Sequence, residues 1–101
     1  MKVLSAKVDG KDPKRLREFV DQLKAKIGSG IILLGSQNQD KVSLIMGITA
    51  DLTKRFNAGV LVKKIAQSMG GTGGGRPDFA QAGGTDPGKL DEALRSIDDL
   101  I

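Results

Sequence analysis

The stretch that decides the fold is Ile31-Ile32-Leu33-Leu34-Gly35-Ser36-Gln37-Asn38-Gln39-Asp40-Lys41-Val42-Ser43-Leu44-Ile45-Met46-Gly47-Ile48-Thr49. Four consecutive apolar residues, Ile31–Leu34, have no polar side to turn to water, which suits a central strand covered on both faces. Ser36 to Asp40 is polar and turn-like, and Val42 to Thr49 is again rich in apolar and β-branched residues. A link so short cannot carry a crossover, so the two runs predict antiparallel neighbours in a central hairpin.

Upstream, Lys2 to Val8 alternates, with Leu4, Ala6 and Val8 on one face and Val3, Ser5 and Lys7 on the other, as a half-buried strand does. Asp9-Gly10 turns the chain. Asp12 is a suitable N-cap with Pro13 at the first helical position. Leu16, Phe19, Val20, Leu23 and Ile27 then form one helical apolar stripe, all read as core, with Lys14, Arg17, Lys24 and Lys26 off it. Gly28 or Gly30 ends that helix.

Downstream, Asn57 caps a second helix whose inner face is Leu61, Ile65 and Met69, with Ala58 and Val62 beside them, until Gly70-Gly71 stops it. A short strand follows. Asp86-Pro87 repeats the earlier cap and opens a last helix with Leu90, Ala93, Leu94, Ile97 and Ile101 inward. Strand–helix–strand units pair in parallel and the hairpin adds an antiparallel pair. The fold class is therefore α/β: a single mixed β-sheet with an antiparallel central hairpin and three packed α-helices, in one domain over residues 1–101.

The chain has 101 residues, 39% hydrophobic and 28% charged, which is one ordinary folded domain. It contains no cysteine and no histidine, which removes disulfides, thiolate metal sites and the usual base of a Ser or Cys nucleophile. No inward pair of carboxylates takes their place, so no catalytic residue, metal ligand or cofactor is expected. The longest continuous apolar run, Ile31–Leu34, is far short of the ~18 residues of a membrane span, and no signal-peptide pattern is present; a cytoplasmic protein is expected. Net charge is +4, but residues 1–85 carry 14 basic and 7 acidic side chains and residues 86–101 carry 2 and 5. A basic body closed by an acidic helix favours a polyanionic partner, although a merely soluble lysine-rich surface has the same composition.

Half of the chain's 14 glycines fall in the glycine-rich loop 70–85, Gly70-Gly71-Thr72-Gly73-Gly74-Gly75-Arg76-Pro77-Asp78-Phe79-Ala80-Gln81-Ala82-Gly83-Gly84-Thr85. Glycine bares the backbone, so that its N–H groups can reach a phosphate or sugar. Arg76 adds a planar fork suited to a phosphate or base edge, Pro77 stiffens its neighbour, and Gln81 can read a base edge or a ribose hydroxyl. A flexible connector is the plain alternative, but it would not need Arg-Pro-Asp-Phe-Ala-Gln-Ala between two glycine clusters. Gly83 to Leu90 nearly spells a phosphate-binding loop, yet Leu90 stands where a hydroxyl should hold magnesium and Pro87 removes an N–H. Phe79 either stacks on a base or, the preferred reading, anchors the segment to the sheet. With only three phenylalanines and no Trp or Tyr, recognition by shape and backbone fits better than serial stacking.

The run Gly73-Gly74-Gly75-Arg76-Pro77-Asp78-Phe79-Ala80-Gln81-Ala82-Gly83-Gly84 resembles the signature of the C-terminal domain of alanyl-tRNA synthetases, and the likeness extends over the whole chain, including the helix entry Asn57-Ala58-Gly59. Many members carry methionine where Phe79 stands, an apolar-for-apolar change. The accessory domain of DHH-family phosphoesterases is similar too, through a Gly-Gly-Gly-His motif; Arg76 at the histidine's place favours the synthetases. The resemblance implies a tRNA-binding domain that grips the outer corner of tRNA(Ala), so that aminoacylation and editing act on the same tRNA. It implies no catalytic centre in this fragment, a parent alanine–tRNA ligase, and the parent's catalytic and editing domains as partners. The expected contacts are Gly73, Gly74, Gly75, Arg76 and Gln81, with surrounding charge from Lys54, Arg55, Lys63 and Lys64. In the family a helical segment before this domain contributes to dimerisation; none precedes Lys2, and dimerisation of the fragment is left open. The alternatives are the nucleic-acid-gripping part of a phosphoesterase and a protein-interaction module.

Overall fold

The computed structural model describes residues 2–8, 13–38, 41–67, 69–84 and 87–97. The turn at Asp9-Gly10, the caps at Asp12 and Asp86, the link residues Gln39 and Asp40, and Ile101 lie outside them. The elements run β1 (Lys2–Lys7), α1 (Pro13–Ile27), β2 (Gly30–Asn38), β3 (Lys41–Ile48), a 3-10 turn (Ala50–Leu52), α2 (Ala58–Gln67), β4 (Thr72–Gly75), β5 (Phe79–Gly84), a second 3-10 turn (Pro87–Lys89) and α3 (Leu90–Arg95). One five-stranded sheet has the order β1-β2-β3-β5-β4. β1 is parallel to β2 and every other pair is antiparallel.

The central hairpin is as the sequence predicts, with Ile31 opposite Ile48 and Leu34 opposite Ile45. It is longer than its polarity suggested. Pairing continues to Asn38 opposite Lys41, so Ser36, Gln37 and Asn38 are strand rather than turn. Polar residues at the end of a strand still have backbone N–H and C=O groups to pair, and here the ladder satisfies them.

Both faces of β2 are covered. Ile31 and Leu33 join Val42, Leu44, Met46 and Ile48 of β3 beneath α2 and α3, while Ile32, Leu34 and Ile45 meet Leu16 and Val20 of α1 on the other side. Each fully buried Leu or Ile contributes roughly 1.5–3 kcal/mol relative to exposure. α1 ends at Gly28 (φ +73°) and α2 is followed by Gly70 (φ +69°), left-handed conformations that glycine adopts without Cβ strain. The Gly71 N–H closes the second cap on the Ala66 carbonyl at 2.9 Å.

Three further features differ from the sequence reading. Phe19, which the spacing puts in the core, is 39% exposed; it stands about 100° around the helix from the buried Val20, on the flank of the stripe. The glycine segment, read as a loop with one short strand, is a β-hairpin, because β5 docks on β3 and supplies a ladder for β4. The last helix starts as a 3-10 turn at Pro87 and becomes α-helical only at Leu90. Its inward residues Leu90, Ala93, Leu94 and Ile97 are buried as expected.

The start of β2 is tied to the segment after β3. Gly30 and Thr49 exchange bonds, Gly30 N–H to the Thr49 hydroxyl at 3.0 Å and Thr49 N–H to the Gly30 carbonyl at 3.1 Å. The hydroxyls of Ser29 and Thr49 both donate to the Asp51 carboxylate. Those two bonds, Ser29 first, hold the Asp51 carboxyl below its ordinary pKa.

Candidate nucleic-acid interface

The tip of the β4–β5 hairpin is Pro77-Asp78, closed by the Arg76 N–H donating to the Phe79 carbonyl at 2.9 Å. Its other carbonyls are spoken for as well. Pro77 O accepts from the Ala58 N–H at 2.9 Å and Asp78 O from the Ile48 N–H at 2.9 Å. Lys24 of α1 adds its ammonium to Asp78 O at 3.4 Å. The Asn57 side chain caps α2 by accepting from the Val60 N–H at 3.2 Å. A Cβ at Gly59 would come within 2.8 Å of the Gly75 carbonyl, so glycine lets the first turn of α2 press directly on β4. The Asn57-Ala58-Gly59 entry thus fixes the tip from beneath, and Arg76 projects from a braced turn.

Side-chain alternation along a strand assigns the faces. Ala80 and Ala82 belong to the core beneath α2, whereas Phe79 packs with the α1 cluster; Gln81 therefore shares the α1 side with Phe79. Gly74, opposite Gln81, shares it too, while Gly73 and Gly75 stand opposite Ala82 and Ala80 on the α2 side. α1 packs on β2 and β3 and leaves the β5–β4 half of its face open. An open groove results, lined by Arg17, Gly74, Gly75, Arg76, Phe79, Ala80 and Gln81.

The three glycines of the signature differ in what holds them. A Cβ at Gly73 would overlap the Ala82 side chain, and one at Gly75 would meet Ala80 Cα at 2.8 Å; packing accounts for both. A Cβ at Gly74 meets nothing within 4 Å. The fold has no use for the missing side chain there, and its absence keeps the groove floor bare. The Arg76 side chain is 70% exposed, with its Nε 3.6 Å from an Asp78 oxygen.

The expected site residues are not all in one place. Gly74, Gly75, Arg76 and Gln81 line the groove. Lys63 and Lys64 lie on the solvent face of α2, across the sheet from it. Lys54 and Arg55 are exposed between the 3-10 turn and α2, at the hairpin-tip end of the sheet. Arg55 lies over the Phe56 ring at 5.2 Å. Arg17, Phe79 and Ala80 line the groove as well, and the second guanidinium, that of Arg17, is the functional group the sequence did not point to. Arg17 of α1 sits over the Phe79 ring, 5.0 Å from its centroid; its only signal was a position off the apolar stripe. Phe79 anchors β5 to the α1 cluster, as preferred from sequence. Among the described residues no group of three or more acidic side chains could hold a metal ion, and no helix is long and apolar enough to cross a membrane.

This architecture has known counterparts. The family described as the DHHA1 domain matches residues 1–101. An alanine–tRNA ligase from Ralstonia nicotianae is 57% identical over 97 residues, 96% of this chain and 11% of that protein. One from Bacillus subtilis is 54% identical over 100 residues, 98% of this chain and 11% of that protein. The chain thus spans about a tenth of the length of these relatives. The crystal structure of the C-Ala domain from Aquifex aeolicus alanyl-tRNA synthetase superposes with a TM-score of 0.91 at 26% identity, covering 97% of this chain and 88% of that one. With a family match over its full length and the same fold in a solved relative, the chain belongs to the DHHA1 domain family.

Proposed function

We propose that this domain is the tRNA-holding part of an alanine–tRNA ligase, gripping the outer corner of tRNA(Ala) so that charging and editing work on one bound molecule. The observation that carries the reading is the groove beside the braced hairpin tip, where Arg76 projects from a fixed turn, Gln81 is exposed and the Gly74 backbone is bare. Its likeness to the C-Ala domain of an alanyl-tRNA synthetase supports tRNA as the partner. A guanidinium takes a phosphate in two hydrogen bonds, and a bare strand lets a sugar–phosphate chain approach closely. Lys54 and Arg55 extend the positive field at the same end, while Lys63 and Lys64 serve a second face of the RNA or long-range attraction. The parent's catalytic and editing domains supply the chemistry, and no cofactor is assigned to this domain.

The test is made in the full-length ligase. Deleting these residues leaves ATP–pyrophosphate exchange with alanine unchanged, because that step needs no tRNA. Charging and deacylation of mischarged tRNA weaken together, mainly through tRNA capture rather than through turnover at saturating tRNA. Exchange that collapses along with the tRNA-dependent steps would mean the domain supports the catalytic body, contrary to the proposal.

A further inference from the structure

We propose that the Arg17–Phe79 pair is a stacking platform for one unpaired nucleobase, with Gln81 reading that base's edge and Arg76 holding its phosphate. The inference rests on reading the groove as an RNA contact and adds a base-binding subsite to it. Phe79 is partly buried and packs inward on the α1 cluster. Arg17 covers the ring from outside with its guanidinium 5.0 Å from the centroid. Attraction to the ring's π face holds the guanidinium over it, and Arg17 is exposed, so a base can reach the guanidinium from the groove. Among the described residues no carboxylate forms an ion pair with Arg17, so the ring is what positions it.

An arginine plane accepts a base as an aromatic ring does. A domain poor in exposed aromatics thereby gains a stacking surface from one half-buried phenylalanine. The neighbouring geometry suits a nucleotide. Gln81 lies two residues beyond Phe79 on the same side of β5, about 6.6 Å along the strand, and its amide offers a donor and an acceptor to a base edge. Gly74 stands directly across from Gln81 and leaves room for the base and its sugar. Arg76 at the tip completes the groove, and its contact with Asp78 is made through Nε, which leaves the terminal nitrogens to a phosphate.

The experiment uses this domain with three RNA probes: folded tRNA, a single-stranded RNA of about six nucleotides, and the same strand with its bases removed, so that the phosphates cancel. The wild-type domain favours the strand with bases over the abasic one by about fivefold or more, the low end for one stacked base. A 2-aminopurine placed in the strand is quenched on binding. Arg17→Lys keeps the charge and loses the plane, so the ratio between the two strands falls to about one and the quenching disappears, while the melting temperature stays at the wild-type value. Gln81→Ala keeps the preference for a base and loses discrimination among bases. Equal wild-type affinity for the two strands overturns the platform, as does a preference that survives in Arg17→Lys. Tight binding of folded tRNA with no base preference sinks this inference alone. Failure to bind any of the three probes sinks the tRNA reading itself.

Discussion

Arg76 and Gly74 both line the groove and separate stability from binding in opposite ways. The Arg76 side chain is largely exposed, and its ion pair among the described residues is with the Asp78 carboxylate, a surface pair worth about 0–1 kcal/mol. Arg76→Ala and Arg76→Lys therefore melt at nearly the wild-type temperature. In tRNA binding Arg76→Lys recovers only part of what Arg76→Ala loses, because an ammonium cannot offer the fork. A large fall in melting temperature for either would make the residue structural. Gly74→Val separates fold from function in the opposite direction. Its Cβ enters open space and a β-branched residue suits a strand, so stability holds or rises by about 0.5–1 kcal/mol. Binding drops because the side chain blocks the groove floor. A Gly74→Val domain that binds tRNA like wild type would remove the groove from the contact surface. Arg76, Gly74 and Gln81 were legible in the sequence as a glycine-bared, guanidinium-bearing segment. Arg17 was not: nothing near it in the chain announces the ring of Phe79, which reaches it only through the packing of α1 on the sheet.

The elements were legible where periodicity is strong and obscure where pairing alone makes them. Ile31–Leu34 and the stripe of α1 state their structure locally, apart from Phe19, which the spacing places on the stripe but which lies at its exposed edge. β4, Thr72-Gly73-Gly74-Gly75, has no alternation and little strand propensity. It is a strand because β5 offers it a ladder and α2 covers one side, facts that belong to tertiary structure. The clamp joining the start of β2 to the turn after β3 carries a prediction at this scale. The folded-state pKa of Asp51 lies below its ordinary value, so the unfolded chain binds more protons in that range and stability rises with pH through it. The stabilisation is present above the ordinary carboxylate pKa and is lost as pH falls through the lowered one. Asp51→Asn should melt below wild type at neutral pH, and the gap should close as pH falls below the ordinary carboxylate range. A constant gap between the two melting curves across that range would show that charge has no part in the clamp.

The domain is a sheet with a helix on one face and two on the other, and its candidate groove lies where α1 stops covering the sheet. The basic excess of residues 1–85 was readable from composition, but its division between the groove and the far side of α2 was not, because helical phase and strand order decide it together. This division predicts that only some of the cations meet phosphate at once. Binding of folded tRNA, measured at a series of salt concentrations, decides whether this surface holds tRNA. With roughly three to five phosphates neutralised, log K against log salt should fall with a slope of about −2 to −4, and tRNA should outcompete unrelated acidic polymers of equal charge. A slope near zero, or equal affinity for such polymers, would contradict the assignment of this surface to tRNA.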